Sequence, residues 1–197
     1  MYVTRIFLFI SLAWYLGSCN VVTPFVYNTS KIDGVNTRLS SDSAFSLKIT
    51  DTRKFVAYIG QVYSSNGMTS NKVAPVFADI TPPLHGSFKR ILQNNGLRFD
   101  SLPGHSAYTL TISVEELLGQ VGSYNSVGNA TLKTEISSNR TGKIVYSASH
   151  VGSIGGGPNL GFNGRRRAFD YAYFAINDAM RKLLIDPAFA RAVAGKE

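Results

Sequence analysis

Three things are scarce in this chain of 197 residues: it has one cysteine, three histidines and only 16% charged residues. A single thiol closes no internal disulfide, and His85, His105 and His150 lie far apart in sequence, so no structural metal is expected. Acid is scarcer than base, 12 Asp and Glu against 20 Lys and Arg, for a net charge of +8. A basic surface suits anionic headgroups, nucleic acid or another polyanion. The only basic run is Arg165–Arg167, without interleaved aromatics, and a dedicated nucleic-acid binder is not expected. No phosphate-binding G-x-x-x-x-G-K-[ST] or dinucleotide-binding G-x-G-x-x-G sits where it would be needed, so no cofactor is expected. Nor is there a long apolar run. The eleven residues Ile6–Leu16 are too few to cross a hydrocarbon layer about 30 Å thick.

What is present is material for one domain. Hydrophobic residues make up 44% and aromatics 12%, enough for a core and against disorder. The chain opens with Arg5, then the apolar stretch, then the small residues Gly17 and Ser18 before Cys19, the order of a secretory signal peptide. Leu16-Gly17-Ser18-Cys19 resembles a bacterial lipobox. That resemblance implies cleavage after residue 18, a diacylglycerol thioether on Cys19, usually an acyl chain on its new amine, and signal-peptidase recognition through Leu16, Gly17 and Ser18. Two or three chains at about 0.8 kcal/mol per buried CH₂ make a firm anchor. Asn20 follows in place of the Asp common in inner-membrane lipoproteins. By the same resemblance the expected address is the outer membrane, facing the periplasm. The sequons at Asn28, Asn129 and Asn139 then read as chance.

Residues 1–18 are therefore expected to be a signal peptide, 19–43 the lipidated cysteine with a polar tether, and 44–197 a single domain. In "AFSLKIT", Phe45, Leu47 and Ile49 alternate with polar residues, a half-buried strand. "KFVAYIGQVY" reads as a second strand with Val56 and Tyr58 inward. Thr81 then offers a cap, followed by prolines in the first turn, and Leu84, Phe88, Ile91 and Leu92 mark an amphipathic helix ended by Gly96. "AYTLTISVEELLGQV", "NATLKTEI" and "KIVYSASHV" alternate as an antiparallel meander. Gly152–Gly164 reads as a flexible glycine-rich loop. After it, Phe169, Tyr173, Ile176, Met180 and Leu183 keep helical spacing up to Asp186-Pro187, where a short helix restarts. The expected fold is α+β: an antiparallel sheet of four to five strands with two main helices on one face.

The lipobox, the strand leading to Asp51 and Arg53, "LHGSFKRILQNNGLRF", "YTLTISVEEL", the hairpin and the long C-terminal helix before "DPAFARAV" together resemble the YajG-like family of bacterial lipoproteins. More distantly the layout is similar to auxiliary lipoproteins of envelope ABC-type lipid transporters. Both resemblances imply a non-enzymatic domain tied to a membrane, and neither supplies a catalytic residue.

The remaining constellations are weak as chemistry. Arg165, Arg166 and Arg167 at a helix start either form a solvated basic turn or contact lipid phosphates or an acidic partner. No G-x-S-x-G nucleophile elbow occurs, and Glu115 and Glu116 are adjacent on a strand, where they point apart. Asp51 and Arg53 suit a salt bridge. Among Tyr171, Tyr173 and Phe174 most belong to the core. The expected function is a lipid-anchored, non-catalytic envelope domain that binds a protein, lipid or glycan partner. The alternatives are an accessory subunit of a lipid-transport or secretion apparatus and, less favoured, an envelope hydrolase using His105 or His150.

Overall fold

The computed structural model describes residues 39, 41, 43–63, 70–73, 79–100, 105–157 and 164–195, with 70–73 and 165 described by their backbone. Among the described residues, seven strands form one sheet. Its spine is β5 (Tyr108–Val121), joined antiparallel to β6 (Ser126–Ser138), which is joined antiparallel to β7 (Ile144–Gly156). The expected meander is present because the polar–apolar alternation gives each strand one burial face.

The other edge of β5 corrects the expectation of an antiparallel sheet. β1 (Ala44–Asp51) runs parallel to its first half, from Phe45 opposite Tyr108 to Asp51 opposite Val114. β2 (Gly60–Tyr63) runs parallel to its far end, with Gly60 opposite Gly119. β3 (Ser70–Val73) pairs antiparallel with β2, and the two-residue β4 (Arg98–Phe99) pairs parallel with β1. The sheet is mixed and larger than the four to five strands expected, because alternation fixes a face and says nothing of strand direction. The second strand also starts later than "KFVAYIGQVY" suggested. Residues 52–59 leave the sheet between β1 and β2, and Val56 lies exposed.

A bulge in β5 falls at the same level. The register with β6 shifts between Val114 and Glu116. Leu110, Ile112 and Val114 point to the core before it, and Leu117, Gly119 and Val121 after it, so the inward parity changes from even to odd. Glu115 and Glu116 are consequently both exposed, which corrects the expectation that they face opposite sides.

Among the described residues, three helices cover the core face: α1 (Thr81–Asn94), α2 (Gly164–Ile185) and α3 (Pro187–Val193). In α1, Leu84, Phe88, Ile91 and Leu92 are buried as their spacing predicts. Thr81 is not the cap. Ile80 holds that position and the Asp79 carboxylate accepts the Thr81 N–H at 2.8 Å. The helix ends at Gly96, whose φ of 101° lies in the left-handed region and whose Cα faces the Leu39 carbonyl too closely for any side chain. Asp186 caps α3 by accepting the Ala188 N–H at 2.7 Å, with Phe189 and Val193 buried.

Helix α2 lies unusually close to the sheet. A Cβ on Gly119 of β5 would collide with Ala168 and Ala172, one on Gly128 of β6 with Tyr171, and one on Gly152 of β7 with Ala175 and Ala179. Small residues on the helix meet glycines on the strands, so the two backbones approach closely. Ala168, Ala172, Ala175 and Ala179 sit on this contact beside the expected Tyr173, Ile176, Met180 and Leu183. This explains a further correction: Gly152–Gly156 are not a loop but the end of β7, paired with Ser126–Ala130. Of the rest of the expected loop, residues 158–163 are outside the described residues and Gly164 opens the long C-terminal helix.

Candidate functional site

The break between β1 and β2 leaves a cleft of about 540 Å³ beside the bulge of β5, lined by Arg53, Lys54, Phe55, Tyr58, Gln61, Glu115, Glu116, Leu118, Gln120 and Thr131 among others. Its wall is built by a buried ion pair. Arg53 is 6% exposed and grips Asp51 with two hydrogen bonds, Nε to Oδ1 at 2.8 Å and Nη2 to Oδ2 at 2.7 Å. Its remaining donors point to the carbonyls of Val56 and Tyr58, each at 3.5 Å. The guanidinium thereby staples the 52–59 excursion back onto the end of β1. The expectation of a salt bridge here holds.

The staple turns Phe55 outward. It is 58% exposed and stacked on Tyr58, ring centroids 5.8 Å apart and planes 23° from parallel, with the Lys54 ammonium 5.7 Å from its centroid. Gln61 and Gln120 face each other across the parallel pairing of β2 with β5. Gln120 Nε2 donates to Gln61 Oε1 at 3.0 Å and to the Tyr63 hydroxyl at 3.1 Å, and that hydroxyl donates to Gln61 Oε1 at 2.8 Å. The Thr131 hydroxyl donates to Glu116 at 3.3 Å.

A second cluster pins α3 to β7. The Tyr146 hydroxyl donates to Asp186 Oδ2 at 2.6 Å, and His150 Nε2 lies 3.3 Å from both that oxygen and the Tyr146 hydroxyl. Burial, then the hydrogen bond to the Asp186 carboxylate and its charge, pushes the Tyr146 hydroxyl far above the ordinary tyrosine range, so it remains a donor. For Asp186, burial pulls upward, but hydrogen bonds from Tyr146, the Ala188 N–H, His150 and the Phe189 N–H outweigh it and hold the carboxyl below its usual range. His150 is 8% exposed, and its Nδ1 has no partner among the described residues. His150 is thus buried between β7 and α3 and not solvated at the surface. Its parity with Tyr146 and Ala148, facing Leu132, was the available signal.

The other expected positions are scattered. Leu16, Gly17, Ser18 and Cys19 lie outside the described residues. Arg166 and Arg167 are exposed in the first turn of α2, and the side chain of Arg165 is not described. They sit at the β2 and Val121 end of the sheet, over the core face, and do not line the cleft. Tyr173 is buried, Tyr171 and Phe174 half-buried. His105 is exposed before β5. Among the described residues, no group of three or more His, Cys, Asp or Glu is placed to hold a metal ion, and no helix is long and apolar enough to cross a membrane. The cleft was missed in the sequence because it depends on a strand interruption and a bulge, neither of which interrupts the hydrophobic pattern visibly.

No protein-family model and no curated protein matches the chain. Among solved structures it is similar to protein XCC0632 of Xanthomonas campestris, family DUF330, at 14% identity and a TM-score of 0.47, over 74% of this chain and 86% of that one. It is similar to lipoprotein GNA1162 of Neisseria meningitidis at 14% identity and a TM-score of 0.39, over 60% and 88%. PelC of Paraburkholderia phytofirmans, a dodecamer in its crystals, follows at 17% identity and a TM-score of 0.35, over 73% and 89%. Likeness at this level transfers no role to any residue.

Proposed function

We propose that this chain is a bacterial envelope lipoprotein: a non-catalytic domain anchored through acylated Cys19 to the outer membrane, facing the periplasm, and binding an envelope partner. The observation that carries the reading is Leu16-Gly17-Ser18-Cys19, directly after a basic residue and an apolar stretch too short to span a bilayer. The anchor confines the domain to a thin shell and raises its effective concentration toward anything bound there.

The non-catalytic part draws support from how the polar groups are used. His150 Nε2 is engaged by Tyr146 and Asp186, and Asp186 is itself committed to capping α3, so these three act as a clasp between elements. General-base chemistry needs an imidazole nitrogen within reach of a substrate proton. Incorporation of a radiolabelled fatty acid tests the anchor: the parent should carry the label and the Cys19→Ala variant none. An unlabelled parent would overturn the proposal.

A further inference from the structure

We infer that the cleft at the β1–β2 break is a binding site for an uncharged saccharide. The inference rests on the chain being a binding module and not on the anchor, since every group involved lies in the folded domain.

Charge narrows the ligand first. Arg53 is spent on Asp51, which leaves Lys54 against Glu115 and Glu116 at the cleft, a local excess of acid on a protein of net charge +8. Among the described lining residues, a phosphate or other polyanion would meet two carboxylates and no free guanidinium. Shape comes next. Phe55 offers an exposed flat ring on a turn whose carbonyls are held by a buried arginine, so little entropy is lost in presenting it. The axial C–H groups of a pyranose make an apolar patch that packs against such a ring.

Hydrogen bonding then favours hydroxyls. The Gln61–Gln120–Tyr63 triangle fixes both amides and leaves the Gln61 NH₂ and the Gln120 carbonyl without a protein partner among the described residues. A donor and an acceptor held side by side match a pair of sugar hydroxyls, each of which both donates and accepts. Glu115 and Glu116 add acceptors. The volume, about 540 Å³, lies in the range of small-ligand sites.

Tetra-N-acetylchitotetraose and cellotetraose, both uncharged, are the probes, titrated separately into the mature chain from residue 19 in detergent while backbone amide shifts are followed by NMR. One of them should shift amides within 53–61 and 115–120. Phe55→Ala should weaken that binding at least about tenfold, as expected for loss of an aromatic anchor, with only a small drop in Tm, because the ring is largely exposed and loses just its contacts with Tyr58 and Lys54. The inference fails if neither saccharide shifts these amides, if Phe55→Ala binds as tightly as the parent, or if a lysine-rich peptide occupies the cleft and the saccharides do not. Binding with cleavage of the probe would uphold the cleft and overturn the non-catalytic reading. A bare Cys19 would overturn the anchor and leave the titration unchanged.

Discussion

Replacing Gly152 by alanine adds one methyl group, and the geometry makes it costly. The new Cβ would stand 2.6 Å from the Ala179 nitrogen and closer still to the Ala175 carbonyl oxygen, both main-chain atoms of α2 that no side-chain rotation can move. Restoring ordinary contact with the Ala175 carbonyl oxygen requires α2 to lift by about 1.5 Å, and a radial gap of only about 0.5–1 Å already forfeits a quarter to a half of each dispersion well along the interface. Ile176, Met180 and Leu183 share that interface and are fully buried. Partial relaxation leaves a cost of about 3 kcal/mol, the upper part of the range for overpacking. Gly155→Ala is the control: it lies on the same strand with nothing within 4 Å of its Cβ. There the alanine should be neutral or stabilise by up to about 1 kcal/mol, because it reduces the freedom of the unfolded chain. Urea unfolding of both variants at constant m-value measures the difference. Equal midpoints for the two would refute the close packing of α2 on the glycines.

Two further predictions concern the clasp between β7 and α3. Tyr146→Phe deletes a 2.6 Å hydrogen bond to a carboxylate and should lower stability by about 2 kcal/mol by urea unfolding, while the ring keeps its contact with Phe189. Asp186 has a folded-state pKa below its unfolded one, so its contribution is complete above the unfolded value, about 4, and is lost as pH falls through the folded value. Thermal unfolding from pH 7 down to pH 2 should therefore show Asp186→Asn with a lower Tm at neutrality and a shallower acid limb than the parent, and parallel curves would contradict the assignment.

The elements most visible in the sequence were those whose residues all report one periodicity. Leu84, Phe88, Ile91 and Leu92 mark α1, and the alternation through Leu132, Thr134 and Ile136 marks β6, because a helix or strand with one buried face must repeat in that way. Strand direction was hidden. Phe45, Leu47 and Ile49 look the same whether β1 runs parallel or antiparallel to β5, and the pairing joins residues about 60 positions apart. The α2 interface was half visible. Tyr173, Ile176 and Met180 stand out as large apolar residues, whereas Gly152 reads as the start of a loop and Gly119 and Gly128 carry no side chain to signal the contact until the helix backbone is seen against them. The cleft was least visible, since Phe55 and Val56 resemble strand residues and are exposed only because Arg53 and Asp51 hold the chain out of the sheet.

The central claim is chemical and concerns one sulfur atom. Mass spectrometry of the protein purified from membranes should find residues 1–18 absent and an N-terminal peptide beginning at Cys19 that carries a diacylglyceryl thioether. A chain that still begins at Met1, or a Cys19 with a free thiol, would contradict the account.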